Sequence, residues 1–351
     1  MKQYHTLVAD TLKNGQYKEN RTAVDTISKF CHKYKIDVSE GYPLLTTKSM
    51  DGFRWDSMLH ELVWYISGEE HVRDLRKKTG IWDEWATEEG HLETAYGRFW
   101  RRFPIPENGQ LPGESWPDLN GGDEFSKYIT HENDDNRERF STFDQLQYVI
   151  DNIRENPNSR RHVVSAWHPA NAQTSLLPPC HYTFVFNVQG NTLNLHLQQR
   201  SGDIAVGIPF NIACYSLLLT IVAKLTNLKV GEFAHTITDA HIYCGTKERG
   251  RWYADNIDTL QDKIEKQQNT TDSGNGFTSI REWIETNAPE EDDGDTHKDH
   301  VPGLLTQLSR DPLNRPTINV DQLDSIDDLT YDDIKLSNYD SHPGIKFGIA
   351  E

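Results

Sequence analysis

Cysteine is scarce in this sequence. The chain has 351 residues but four cysteines, Cys31, Cys180, Cys214 and Cys244, which lie far apart and form no CxxC pair. This spacing fits neither a disulfide framework nor a zinc site with cysteine ligands. We therefore expect four reduced cysteines and no structural metal.

Long hydrophobic runs are also missing, and we expect no N-terminal leader. The longest apolar stretch, residues 212–223, is interrupted by Ser216 and Thr220 and is shorter than the roughly 20 residues that a membrane span needs. The first residues, Met1 to His5, contain no apolar core and no small-residue cleavage site. The sequence therefore predicts a cytoplasmic protein that does not contact membranes.

Positive charge is in deficit. The chain has 36 basic and 54 acidic residues, which gives a formal net charge of -18. Such a surface repels phosphate backbones, so nucleic-acid binding is not expected. Self-repulsion of this size is screened effectively only by concentrated salt. We infer adaptation to a salty cytoplasm; the alternative is an ordinary acidic enzyme.

Apolar and aromatic residues are plentiful, and their spacing predicts regular structure. Helical periodicity covers residues 1–14 and 55–67, the second ending before a glycine. Alternating residues predict two strands, 181–188 and 192–199, joined by a tight turn. Residues 211–225 are apolar nearly all round, which is typical of a helix buried in a core.

Two segments have the composition of surface additions. Residues 104–141 are rich in Pro, Gly, Asn and acidic residues, and residues 245–299 combine a polar helical stretch with an acidic run. Both are typical of solvated segments. We predict a single domain over residues 1–351 with surface insertions at about 104–141 and 245–299.

The chemically informative residues are grouped around Cys180. This cysteine follows two prolines, which stiffen its backbone, and Arg200 lies near the end of the second predicted strand. Across a hairpin the two could be neighbours, and a cation beside a thiol favours the thiolate. His181 is adjacent in sequence, but neighbours on a strand point to opposite faces, so a Cys–His dyad is not expected.

The segments 176–181, 198–203 and 207–211, in this order and spacing, resemble the thymidylate synthase family. The resemblance extends over most of the chain outside the two additions, and the acidic composition and the additions resemble versions from salt-loving archaea. It includes Asn20–Thr22, Pro43–Lys48, His60–Leu62, Ile81–Trp85, Tyr96–Gly97, Asn158–Arg161, Asp239–Tyr243 and His342–Lys346. The family implies an α/β (α+β) fold with a large twisted mixed β-sheet, packed helices, and a homodimer formed through the sheet.

The resemblance also implies a reaction, the reductive methylation of dUMP to dTMP with 5,10-methylenetetrahydrofolate, which leaves as dihydrofolate. Cys180 would add to C6 of uracil and turn C5 into a nucleophile. Asn211 would recognise the uracil edge, because an amide can accept from N3–H and donate to O4. The folate would donate its own hydride, so the family requires no metal and no second cofactor.

The remaining roles that the resemblance implies fall into three groups. Catalysis would involve Cys180, Glu61, Tyr96, Arg200 and Asn211. Nucleotide binding would involve Gln199 and Asp203, with Arg21, Arg200 and Ser201 at the phosphate and His241 and Tyr243 at the sugar. Arg160 and Arg161 would reach the phosphate from a second subunit. The folate would contact Lys48, Ile81, Trp82, Trp85, Leu177, Asp203, Val206 and Phe210.

Taken singly, most of these residues have a simpler explanation. Trp82 and Trp85 could be core aromatics, Arg160 and Arg161 a solvated basic patch, and Asn211 the N-cap of the apolar helix. Only their joint occurrence in the family's order favours the functional interpretation.

The chain also departs from the family pattern. Ala23-Val24-Asp25 replaces a glycine-rich phosphate loop, and Asp25 adds a negative charge near the expected phosphate site. The pattern also breaks off after Tyr243 and resumes near Asp299, and the terminal residue is Glu351. A poorly closing terminus would let water capture the methylene intermediate, so dUMP hydroxymethylation is one alternative. A catalytically silent nucleotide- or RNA-binding regulator is a second; the intact Cys180 argues against it.

Overall fold

The computed structural model describes residues 1–20, 23–92, 95–105, 126–132, 140–269, 273–291 and 297–349. Of the residues singled out above, Arg21, Thr22 and Glu351 lie outside these ranges, as do parts of the two predicted additions. Their expected roles therefore stay predictions.

The strands form one large sheet and two small ones. They are β1 (Gln16–Lys18), β2 (Val24–Asp37), β3 (Phe103–Ile105), β4 (Ile129–Glu132), β5 (Phe140–Phe143), β6 (Val163–Ser165), β7 (His181–Gln189), β8 (Thr192–Asp203), β9 (Lys229–Thr246), β10 (Thr317–Val320) and β11 (Ile334–Ser337). The large sheet has the order β1-β2-β9-β8-β7-β6. The β8–β9 pair is parallel and the other pairs of this sheet are antiparallel, which confirms the predicted mixed sheet.

Helices pack on this sheet and on each other. They are α1 (Lys2–Asn14), α2 (Phe53–Ser67), α3 (Tyr96–Arg101), α4 (Gln145–Glu155), α5 (Asn171–Thr174), α6 (Gly207–Leu225), α7 (Lys247–Gln268), α8 (Ser273–Asn287) and α9 (Val301–Leu308). α2 ends as predicted before Gly68, which has a left-handed backbone (φ 73°) that glycine adopts without strain.

The apolar helix α6 forms the centre of the core. It begins four residues earlier than predicted, at Gly207, so Asn211 lies within the helix and is not its N-cap. The helix is long and apolar enough to cross a membrane, but 78% of that stretch is buried inside the protein. We conclude that its apolar surface serves packing within the fold.

The predicted hairpin is confirmed and places the chemical residues. β7 and β8 pair in the register His181↔Gln199 and Val188↔Leu193 around a turn at Gly190, whose φ is +63°. Leu193, Leu195 and Leu197 are buried on one face, as the alternation predicted. Cys180 therefore lies immediately before β7, directly opposite the end of β8.

The two predicted additions are not solvated throughout. Within residues 104–141 the described part includes strands of a small sheet ordered β3-β5-β4. In the second addition, α7 buries Tyr253, Leu260 and Ile264, and α8 buries Ile280 and Ile284, in the main core cluster. The expectation of purely solvated segments was wrong here, because the apolar residues of each helix recur at helical spacing and form a buried stripe.

Candidate active site

Cys180 is held by its backbone. Its N–H donates to the Tyr96 hydroxyl (2.8 Å) and its carbonyl accepts from the Arg200 N–H (2.8 Å). The Arg200 guanidinium donates to the carbonyls of Pro179 (Nε, 3.0 Å) and Pro178 (Nη2, 2.7 Å). Arg200 thus lies beside the cysteine as the hairpin predicted, and it also braces the proline turn that presents the half-buried thiol.

Behind Cys180, an aromatic stack fixes Tyr96. Its ring lies parallel to the His181 ring at 3.7 Å between centroids, and His181 Nδ1 is 2.6 Å from the Tyr215 hydroxyl. Burial lowers the pKa of His181 to about 3, so the imidazole is neutral at pH 7. Burial also raises the pKa of Tyr96 well above its usual value. Tyr96 therefore keeps its phenolic proton at neutral pH, and any proton that it removes from the substrate must pass through a relay.

Glu61 is a half-buried carboxyl group close to this stack. One of its oxygens accepts from Tyr65 Oη (2.7 Å) and from Trp82 Nε1 (2.8 Å). Burial raises the pKa of Glu61, while the two hydrogen bonds act in the opposite direction. Trp82 meets Tyr96 edge to face at 5.9 Å, so the carboxyl group is connected by ring contacts to the residue that holds Cys180.

A hydrogen-bonded chain orients Asn211. Gln199 Nε2 donates to Asn211 Oδ1 (3.1 Å), and Gln199 Oε1 is 2.9 Å from His235 Nε2. His235 Nδ1 is in turn 2.8 Å from the Tyr34 hydroxyl. Burial lowers the pKa of His235 to about 3, so it is neutral, donating at Nε2 and accepting at Nδ1. With this tautomer, His235 Nε2 donates to Gln199 Oε1, so the Gln199 NH2 group faces Asn211 Oδ1 and fixes the orientation of that amide.

Asp203 lies at the end of β8 under the start of α6. Its Oδ1 accepts from the N–H of Ala205 (2.9 Å) and lies 3.6 Å from His300 Nδ1. Burial acts to raise the pKa of Asp203, but the neighbouring His300, His241 and backbone donors lower it below its usual value. The carboxylate is therefore ionised and can accept hydrogen bonds from a ligand.

Lys48 is buried beside Asp203. Its Nζ donates to the Ala205 carbonyl (2.6 Å) and lies 4.7 Å from the centroid of the Phe347 ring. Burial lowers the pKa of Lys48 to about 7. Its expected contact with the folate stays a prediction, and in this conformation its ammonium group faces protein atoms.

The residues expected at the sugar, His241 and Tyr243, both lie on β9. His241 Nδ1 is 3.5 Å from Asp239 Oδ1, and Asp239 also accepts from Ser28 (2.7 Å) and Lys18. Tyr243 meets the His241 ring edge to face at 5.2 Å. These contacts fix both side chains at the edge of the site.

Among the described residues, the expected phosphate-binding arginines lie at different parts of the sheet. Arg160 and Arg161 are exposed residues before β6, whereas Arg200 lies on β8 beside Ser201. Asp25, which raised the question of a negative charge near the phosphate, accepts from the Tyr17 hydroxyl (2.7 Å). A side chain at Gly250 of α7 would collide with this carboxylate, so Asp25 is packed against the second addition.

Five apolar residues expected at the folate share one property: each is half-buried and packs on the core with part of its surface exposed. They are Ile81, Trp85, Leu177, Val206 and Phe210. Trp82 is nearly buried and meets Trp85 at 5.7 Å. Apolar walls beside the ionised Asp203 fit a flat heterocycle that carries hydrogen-bond donors. Within the described ranges, no cluster of three or more His, Cys, Asp or Glu residues could hold a metal ion.

Sequence reasoning missed several residues that support the site. Tyr65, Tyr215 and His235 orient Glu61, His181 and Gln199, but each lies in an apolar segment and looks like a core residue in sequence. His300 gave one signal in the sequence, namely its position where the family pattern resumes after the second addition.

Comparison with known proteins gives matches over nearly the whole chain. The sequence profile described as "Thymidylate synthase" matches residues 2–351. A protein named thymidylate synthase from Haloferax volcanii is 56% identical over 345 residues, which cover 98% of this chain and 95% of the relative. A second, from Staphylococcus haemolyticus (strain JCSC1435), is 34% identical over 366 residues, covering 99% of this chain and 97% of the relative.

Proposed function

This chain belongs to the thymidylate synthase family, and we propose that it catalyses the reductive methylation of dUMP to dTMP with Cys180 as nucleophile. One observation carries the assignment of the site. Cys180 is fixed by Tyr96 and by Arg200, while Gln199, the residue before Arg200, orients the amide of Asn211. The nucleophile Cys180 and the Asn211 amide, which would recognise the base, are thus connected through Gln199 and Arg200, two adjacent residues of β8.

The first step is addition of the Cys180 thiolate to C6 of uracil. The S–C6 bond forms, and the electron pair of the C5–C6 double bond moves towards O4 as an enolate. Asn211 suits this step, because Gln199 occupies its oxygen side and so directs its NH2 group away, available to donate to O4. A donor placed where negative charge develops stabilises the transition state.

Proton transfer at C5 and O4 is assigned to Glu61 and Tyr96. Burial keeps the pKa of Glu61 raised, which moves the carboxyl group towards the range where it can both accept and donate a proton. Tyr96 holds its proton and is fixed against Cys180. The C5 proton would leave through ordered water to these groups, and the thiolate is expelled once the methyl group is complete.

The folate would lie against the half-buried apolar residues, with Asp203 accepting from its pterin ring. 5,10-Methylenetetrahydrofolate supplies both the one-carbon unit and the hydride. The contribution of this chain is to orient the heterocycle with Trp85, Val206 and Phe210 and to exclude water.

A homodimer would complete the phosphate site. Arg160 and Arg161 are exposed in the single chain, and Phe30 on β2 is 80% exposed, which suits a face covered by a second copy. Guanidinium groups bind phosphate in bidentate fashion, so two arginines donated across the interface would complement Arg200 and Arg21.

We also infer that the enzyme works in the cytoplasm at high salt. The net charge of -18 and the Haloferax volcanii relative support this inference. Salt at molar concentration shortens the screening length to about 3 Å and so reduces repulsion between the acidic surface groups.

The proposal is tested by incubating purified protein with dUMP and methylenetetrahydrofolate in dilute and in molar potassium chloride. We expect dTMP and dihydrofolate by mass spectrometry, with the higher rate in molar salt. Formation of 5-hydroxymethyl-dUMP with tetrahydrofolate would instead establish a hydroxymethylase, and absence of turnover at either salt concentration would overturn the assignment.

A further inference from the structure

The C-terminal segment, residues 342–349, lies across the Asp203 side of the site, and we call it the strap. Both the backbone N–H and the backbone carbonyl of Gly348 are hydrogen-bonded to one short segment. The Gly348 N–H donates to the His297 carbonyl (2.7 Å), and the Gly348 carbonyl is 2.8 Å from His300 Nε2. Phe347 meets the His300 ring edge to face at 5.1 Å. Residues 297–300, which we call the latch, are therefore the docking edge for the end of the strap.

The latch is itself held by acidic and basic side chains. The two Glu291 oxygens accept from the N–H of His297 (2.7 Å) and the N–H of Asp299 (2.6 Å). Asp299 Oδ2 accepts from Arg249 Nε (2.7 Å) and from the Tyr253 hydroxyl (2.8 Å). Arg249 and Tyr253 belong to α7, and Glu291 follows α8. We call α7, α8 and residues 288–291 together the arm.

The Arg249–Asp299 contact is a buried ion pair. The side chains are 11% and 2% exposed, and Arg249 Nη1 also donates to the Pro289 carbonyl (2.6 Å). A buried pair satisfied in this way gives a well-defined geometry, whereas losing one partner leaves a buried charge without compensation. The other oxygen of Asp299 accepts from the Val301 N–H (3.0 Å) and so fixes the start of α9.

The latch also reaches the substrate side. His300 presents one ring nitrogen to the strap and the other to Asp203, at 3.6 Å. A displacement of the latch would therefore move the strap and the carboxylate partner together. The arm is continuous with β9, which carries His241 and Tyr243.

We propose that Glu291 is a positioning residue, which acts through the latch to hold the strap over the folate-binding side of the active site. The arm is then a functional part of the enzyme, because it builds the edge on which the C-terminus closes. This inference rests on the proposed function for its kinetic consequences. The docking itself is a property of the ligand-free protein and can be measured without catalysis.

The substitution Glu291→Gln tests the proposal with little disturbance of packing. Glutamine has the same shape, but it has one carbonyl oxygen for the two N–H donors, those of His297 and Asp299. Its NH2 group would face one of these donors and could not accept a hydrogen bond from it. Glu290→Gln is the matched control, because it makes the same change one residue earlier on an exposed side chain. Tyr253→Phe is a milder second variant, which removes one hydrogen bond to Asp299 and keeps the ring.

The first readout is hydrogen–deuterium exchange of the C-terminal peptide without ligands. We expect exchange at Gly348 about tenfold faster in Glu291→Gln than in the wild type, the change that corresponds to loss of a hydrogen bond to a charged group. Tyr253→Phe should give a smaller increase, and Glu290→Gln should exchange like the wild type. Equal exchange in Glu291→Gln and Glu290→Gln would overturn the proposal.

The second readout separates positioning from general destabilisation. Glu291→Gln should raise KM for methylenetetrahydrofolate several-fold and increase the share of hydroxymethyl product, with KM for dUMP unchanged. Equal rises in both KM values would contradict a specific role on the folate side. A wild-type protein that makes no dTMP would disprove the proposed function and leave the exchange result to decide on the latch.

Discussion

The two sides of the active site are built in different ways. On the proposed nucleotide side, Cys180, Gln199 and Arg200 belong to one hairpin, and hydrogen bonds between its strands fix their relative positions. On the proposed folate side, Asp203 and His300 come from distant parts of the chain, and the strap reaches them through side-chain and loop contacts. The geometry of the nucleotide side is fixed by the register of the sheet, whereas that of the folate side depends on the docking of separate segments.

This difference matches the chemistry that each side must perform. Addition of a thiolate at C6 requires a nucleophile placed to within a fraction of an ångström, and a β-ladder can supply that. Binding and release of a large co-substrate require a surface that can open, and a docked C-terminus can do so. We therefore expect substitutions on the nucleotide side to reduce kcat sharply and those at the arm to have smaller effects on folate binding.

The largest effect is expected from Cys180→Ser. A hydroxyl cannot supply the nucleophile at neutral pH, so kcat should fall on the order of 10⁴-fold or more. The thermal unfolding midpoint should stay near that of the wild type, because the change is nearly isosteric. Substantial residual turnover in the rate of dihydrofolate formation would contradict the nucleophile assignment.

Arg200→Met should reduce kcat/KM for dUMP by about 10² to 10³-fold, because it removes both the brace on Pro178 and Pro179 and the proposed phosphate ligand. Arg200→Lys is the informative control, since one ammonium group cannot reproduce the planar fork that reaches two carbonyls. Recovery of full activity with lysine would show that charge alone suffices and that the brace is unimportant.

Asn211→Asp should change base selectivity. A carboxylate cannot donate to O4 of uracil but can accept from the amino group of cytosine, so kcat/KM for dUMP should fall about 10²-fold while binding of dCMP improves. The measurement is competition between dUMP and dCMP. Unchanged preference would mean that Asn211, although oriented by Gln199, does not contact the base.

Acid should destabilise the nucleotide side. Burial lowers the pKa of His181 and His235 to about 3, so the unfolded state binds more protons below the usual histidine pKa of 6.5. Stability is fully present above that value and is lost as pH falls from it towards 3. Between about pH 7 and about pH 5 we expect a loss of about 2 kcal/mol per histidine.

The control for this pH dependence is His235→Gln, which removes one of the two titrating groups and keeps an amide beside Gln199. Its free energy of unfolding should fall less steeply with acidification than that of the wild type. Identical slopes in chemical denaturation would show that His235 does not titrate as the buried environment indicates.

The smallest effect is expected at the arm, from Tyr253→Phe. Loss of the hydrogen bond to Asp299 should cost about 1 kcal/mol of unfolding free energy, because Arg249 still pairs with the carboxylate. Urea denaturation measures this directly. A loss as large as that from breaking the ion pair would show that the tyrosine, not the arginine, holds the latch.

The elements fixed by sheet register and those that depend on docking of separate segments also differ in how well the sequence predicts them. The β7–β8 hairpin and the core helix α6 were predictable because alternation and continuous apolarity report local geometry. The contact between Cys180 and Arg200 followed from the hairpin register alone. By contrast, the partners that orient Gln199 and Asn211 lie on other strands, and no local pattern marks His235 or Tyr34 as anything but core residues.

The second addition illustrates what sequence patterns conceal. A polar composition predicted solvated helices, but a stripe of few residues, including Tyr253 and Ile264, suffices to bury one face of α7. The pairing of Arg249 with Asp299 spans fifty positions and depends on how the arm folds back. Nor does the sequence show that Asp25 accepts from Tyr17 and lies close to Gly250 of α7.

The most direct test of the central claim is to trap the covalent step. The protein would be incubated with methylenetetrahydrofolate and 5-fluoro-dUMP, in which fluorine replaces the C5 proton that must leave. Because fluorine cannot depart as a proton does, the S–C6 adduct should persist, and peptide mass mapping should locate it on Cys180. An adduct on Cys31, Cys214 or Cys244, or unmodified cysteine in a preparation that converts dUMP, would contradict the account.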